Sequence, residues 1–138
     1  MHDAIRCLLL LLILAGSPAW GDLLVITRVD TAITEVSIED LVQLWLGQVK
    51  TVQGIRFEII DIGEKEPLRA RFYEGLIGMT DRQLKAHWAR QVFIGNGFPP
   101  KSLEQSAMEE WVRAGPNRMG YIEGQLTDDT LKVVHRKK

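Results

Sequence analysis

Three kinds of side chain in this 138-residue sequence could carry chemistry: its histidines, its neighbouring carboxylates and its single cysteine. His87 and His135 have no cysteine, histidine or acidic residue at metal-ligand spacing such as i, i+4, so no metal site is expected. The carboxylates of Glu109-Glu110 and Asp128-Asp129 are adjacent in sequence. Adjacent side chains on a helix diverge, whereas an acid/base dyad needs two that converge, so these read as solvated surface. Cys7 lies in the amino-terminal segment and leaves the remainder of the chain without a thiol nucleophile or a thiolate ligand. There is no Gly-x-Ser-x-Gly elbow, no phosphate-cradling Gly-x-x-x-x-Gly-Lys loop and no serine with an evident histidine partner. The sequence therefore reads as non-catalytic, with no cofactor. The densest charged segment runs from Asp61 to Arg71, where Asp61, Glu64 and Glu66 balance Lys65, Arg69 and Arg71.

The whole chain is nearly neutral as well. Seventeen Lys plus Arg against eighteen Asp plus Glu give a formal charge of -1, which supplies no electropositive field for gripping nucleic acid. With 46% apolar and 25% charged residues, the composition is that of one ordinary globular domain. At the amino terminus Arg6, the apolar run Cys7 to Ala15 and the small-residue stretch Gly16 to Gly21 have the layout of a secretory signal. That run falls well short of the roughly 20 residues needed to span a bilayer. Residues 1–21 are read as a cleaved signal peptide, with the cut between Gly21 and Asp22, and residues 22–138 as one periplasmic domain.

The elements that would position any site follow from local signals. Leu23 to Ile26 is a buried strand. Ser37, with Asp40 three residues on, caps a helix whose Ile38, Leu41 and Trp45 recur at helical spacing until Gly47. Arg56 to Asp61 reads as a second strand. Pro67 opens a helix with the stripe Leu68, Phe72 and Leu76, ended by Gly78. Thr80 and Gln83 form a capping box for a further helix, in which Leu84, Trp88 and Val92 face the core. Gly95 to Pro100 is a shaped loop, Ser102 starts a helix burying Leu103, Met108, Trp111 and Val112, and Met119 to Ile122 and Leu131 to Val134 are strands. Arg136-Lys137-Lys138 reads as a solvated tail. Strands alternating with helices predict an α/β fold with a largely parallel sheet and helices on both faces.

The order of these features resembles a known family. The helix Ile38 to Gly47, the strand ending at Asp61, Pro67-Leu68-Arg69-Ala70-Arg71-Phe72-Tyr73, Gly78-Met79-Thr80, Trp88, Phe93, the Gly95 to Pro100 loop and Met119-Gly120-Tyr121-Ile122 are similar to the short, single-lobe members of the phosphate-type periplasmic solute-binding proteins of ABC transporters. That resemblance implies a single type II periplasmic-binding-protein lobe that binds phosphate or a related oxyanion for ABC-type transport, with transporter membrane components as partners. It implies an anion held by loop amides and hydroxyls at a helix start, where unpaired N–H groups and the helix dipole favour negative charge. The ligand-binding residues it points to are Gly63, Lys65, Glu66, Arg69 and Tyr121, with Arg69 able to grip an oxyanion through its bidentate fork. Family members commonly carry Gly-Ser before the Pro-Leu-Arg segment. Here Lys65-Glu66 stands there, and Glu66 puts a negative charge where a donor hydroxyl is expected. The alternative is a periplasmic interaction module that keeps the lobe fold, does not bind phosphate and docks another periplasmic protein through its open face.

Overall fold

The architecture grows from one strand. In a computed structural model that describes residues 20–138, β1 (Leu23–Arg28) runs through the centre of the molecule with Leu23 to Thr27 all buried. Its neighbours come from the far end of the chain: β7 (Arg118–Glu123) on one side and β8 (Leu131–Lys137) on the other, both antiparallel to it. The registers are Val25 opposite Tyr121 and Val25 opposite His135, with a bulge in the β8 pairing after Val25. Residues 124–130 carry the chain from one flank of β1 to the other, and Leu126 packs against the core on the way.

The intervening elements decorate this frame. Ser37 caps α1 (Ile38–Trp45) by accepting the Asp40 amide, and Gly47 follows with φ of 72°. A tight hairpin of β2 (Thr51–Val52) and β3 (Ile55–Arg56) leads to β4 (Glu58–Ile59), which pairs in parallel with β7, and to β5 (Asp61–Ile62). Pro67 starts α2 (Pro67–Phe72), which widens into a π-helical turn (Tyr73–Ile77) closed by Gly78 at φ of 83°. The Thr80–Gln83 capping box opens α3 (Asp81–Phe93). A short β6 (Ser102–Leu103) pairs in parallel with β5, and a 3-10 turn (Gln105–Ala107) leads into α4 (Met108–Arg113).

Helices do cover both faces of the sheet. Gly120 and Tyr121 are neighbours in β7 and so point to opposite sides. A Cβ on Gly120 would collide with Met108 and lie 3.1 Å from Val112, which places α4 directly on that side. On the other, Phe72 of α2 stacks on the Tyr121 ring at 3.8 Å between centroids, and Trp45 of α1 meets both rings edge-on.

Several sequence expectations are corrected. The main sheet, ordered β4-β7-β1-β8, is mostly antiparallel rather than largely parallel. An apolar run such as Leu23 to Ile26 reports burial on both faces and says nothing of the direction of its neighbours. The expected strand Arg56 to Asp61 is broken into β3, β4 and β5, because each takes a different partner strand. The helix expected from Ser102 begins only at Met108, since Ser102 and Leu103 pair with β5. Val92 is 44% exposed rather than core, on the last turn of α3. Arg136, Lys137 and Lys138 are exposed, as expected of a solvated tail, but the first two belong to β8, where Arg136 pairs with Asp22 at 3.0 Å and Lys137 donates to the Gly75 carbonyl. Within the expected signal peptide, residues 1–19 lie outside the described residues, and Arg71 donates to the Gly21 carbonyl at 2.6 Å.

Candidate functional site

Among the described residues, the one carboxylate buried in the core sits where β5 begins. Asp61 is 3% exposed, and four donors from different elements converge on it. The Tyr73 hydroxyl, at the start of the π-helical turn, donates to Oδ2 at 2.6 Å. The Tyr121 hydroxyl, from β7, donates to Oδ1, and the Ile62 amide donates to the same oxygen at 2.8 Å. Arg69, one turn into α2, brings Nε to 3.3 Å from Oδ2 and lies over the Tyr73 ring at 5.0 Å. A second carboxylate, Asp81 at the start of α3, is 3.7 Å from Arg69 Nη1.

The electrostatics follow from burial. Burial in the core, reinforced by the adjacent Asp61 carboxylate and the hydrogen bonds to it, raises the pKa of both tyrosine hydroxyls far above the ordinary range. They remain neutral donors, as a buried carboxylate requires of its partners. The protein thus carries its own anion inside the fold, with both lone-pair faces occupied.

This arrangement sorts the residues expected from sequence. Arg69 and Tyr121 are brought together, but by Asp61: Arg69 is folded inward with 15% of its side chain exposed, and Tyr121 is fully buried. Gly63, Lys65 and Glu66 remain in the loop that follows β5. The Gly63 carbonyl accepts the Glu66 amide at 3.0 Å, Lys65 is exposed, and Glu66 is the N-cap residue of α2 without a side-chain capping bond. Asp61 and Tyr73 carry the cluster, although neither was expected as a site residue. The signal available for Asp61 was a lone charge enclosed by Ile59, Ile60 and Ile62.

The loop borders a surface cleft of about 490 Å³ at the carboxyl ends of β5, β6 and β7, the edge where ligands collect on α/β sheets. Glu66, Glu104, Glu109 and Glu123 line it. Glu123 is neutralised by Arg71 at 2.5 Å, while Glu66, Glu104 and Glu109 have no ion pair among the described residues. Lys65, in the adjoining loop, is a cation with no ion pair among the described residues. His87 is hydrogen-bonded to the Leu46 carbonyl and His135 to the Val36 carbonyl, each at 2.9 Å.

No protein-family model and no curated protein matches the chain. Solved structures do. An ABC-type phosphate transport receptor from Vibrio cholerae superposes over 83% of this chain and 46% of its own, with a TM-score of 0.64 at 17% identity. A putative phosphate ABC transporter substrate-binding protein with bound phosphate from Clostridium perfringens covers 83% of this chain and 44% of its own, at TM-score 0.63 and 13% identity. PstS from Borrelia burgdorferi covers 75% and 41%, at TM-score 0.55 and 17% identity. The chain spans less than half the length of each of these receptors. Its mixed α/β architecture is thus a fold shared with part of the phosphate-transport receptors.

Proposed function

We propose that the chain is an exported, non-catalytic solute-binding module that serves an ABC-type transporter, and that its solute is phosphate or a related oxyanion. The observation that carries this reading is the fold, shared over 83% of the chain with two receptors named for phosphate transport. Export rests on the amino-terminal layout of residues 1–21; among the described residues no helix is long and apolar enough to cross a membrane. The oxyanion would meet the loop after β5, with Lys65 as its cation and the Gly63 to Glu66 segment beside it. The carboxylates of Glu66, Glu104 and Glu109 oppose a negative ligand there, so the affinity of this short chain is low.

A second reading, an interaction module of the same fold, is favoured by one observation. Arg69, the arginine best suited to clamp an oxyanion, is already committed to Asp61. Titration calorimetry with phosphate separates the two. Saturable heat that strengthens about tenfold in Glu66→Ser, the effect of roughly 1.4 kcal/mol of relieved repulsion, supports solute binding. An absence of heat in both proteins leaves the interaction module.

A further inference from the structure

A second concavity lies away from the strand-end edge, at the amino-terminal ends of β4 and β7. It is a cleft of about 670 Å³, within the range of small-molecule sites. Its walls are apolar and aromatic: Leu44 and Trp45 from α1, Phe57 between β3 and β4, Trp88 from α3, and Phe98 and Pro100 from the loop after α3. Trp88 is fixed there by close packing, since a Cβ on Gly47 would stand 2.9 Å from its ring. Phe98 is 80% exposed, an apolar ring left in water at the rim of an apolar hollow.

The polar groups of the cleft have a sign. Lys50 and Arg56 line it, and neither takes part in an ion pair among the described residues. Its one lining carboxylate, Glu58, faces Arg118 at 3.5 Å. The Trp45 indole N–H is buried behind this wall and has no hydrogen-bond partner among the described residues, which is uncommon for a buried polar group. An apolar hollow with two cations that are unpaired among the described residues suits an occupant that is flat, apolar and negatively charged at one end.

We propose that this cleft is a ligand site for an aromatic organic acid, whose ring lies among Trp88, Phe57 and Phe98 and whose carboxylate meets Lys50 and Arg56. The site is separate from the oxyanion site proposed above, and either can fail without the other. The test follows the tryptophan indole N–H signals by two-dimensional NMR while 2-naphthoate, or its neutral twin 2-naphthamide, is titrated into the purified chain. The expected result is a saturable shift of the Trp45 and Trp88 signals with Trp111 unmoved, and at least tenfold weaker binding of the amide, as for loss of a charge-assisted contact. The Lys50→Gln/Arg56→Gln double variant, altered only at exposed positions, should melt like the parent and bind acid and amide alike. No saturable shift, equal binding of acid and amide by the parent, or full retention of discrimination by the double variant would each overturn the proposal. Movement of the same signals by inorganic phosphate would overturn it too, because it would make the cleft an oxyanion site.

Discussion

Arg69 Nε lies 3.3 Å from Asp61 Oδ2, and the two side chains are 15% and 4% exposed. The pair joins the start of β5 to the first turns of α2, and it turns inward an arginine that the sequence resemblance pointed to as a ligand clamp. A buried ion pair adds little net stability over an apolar substitute, because desolvation offsets attraction. Removing one partner is different, since it strands the other charge. Arg69→Ala should therefore destabilise the protein by about 3–5 kcal/mol in urea denaturation. An effect below about 1 kcal/mol would mean that the Asp61 charge is satisfied without Arg69.

The tyrosines make a sharper test, because Tyr73 and Tyr121 are the only two in the sequence. Burial, then the Asp61 charge, raises both hydroxyl pKa values above the ordinary value of about 10. The folded state keeps these protons where the unfolded chain releases them. Their contribution to stability is thus complete below about pH 10 and declines as pH rises above it. Tyrosinate absorbance near 295 nm should be absent from the folded protein and should appear together with loss of the circular dichroism signal. Normal titration near pH 10 with the fold intact would contradict the cluster.

Tyr73→Phe and Tyr121→Phe each remove one donor from the buried carboxylate while keeping the ring. Each should cost about 1–3 kcal/mol, the penalty for a buried charged acceptor that loses a partner. Because both hydroxyls serve the same group, the double variant should depart from additivity. Chemical denaturation of the two single variants and the double variant measures this. Additive losses would show that the two hydroxyls act independently.

Gly120 tests the contact between sheet and helix. Its missing side chain lets Met108 and Val112 of α4 rest on β7, so Gly120→Ala should cost about 1–3 kcal/mol through overpacking. A thermal melt unchanged from the parent would mean that α4 can shift outward freely.

What was legible in the sequence was local. The Ser37 and Thr80 caps, the Pro67 start and the Gly78 stop each depend on residues within a few positions, and all stand in the structure. The sheet was not legible in the same way, because β1 chooses neighbours from the opposite end of the chain. The site divides similarly. Arg69 and Tyr121 could be singled out by type, but what unites them is Asp61, whose hydroxyl partners lie 12 and 60 positions away. No local pattern encodes that convergence. The acidity of the strand-end cleft was hidden for the same reason, since Glu66, Glu104 and Glu109 meet only in the fold.

The most direct test of oxyanion binding is a thermal-shift series on the protein and on Glu66→Ser, with phosphate compared against chloride at equal ionic strength. A ligand that binds only the folded state raises the melting temperature with its concentration. The account predicts a small concentration-dependent rise with phosphate, larger in Glu66→Ser and reduced in Lys65→Ala. Identical melting in phosphate and chloride for all three proteins would contradict it.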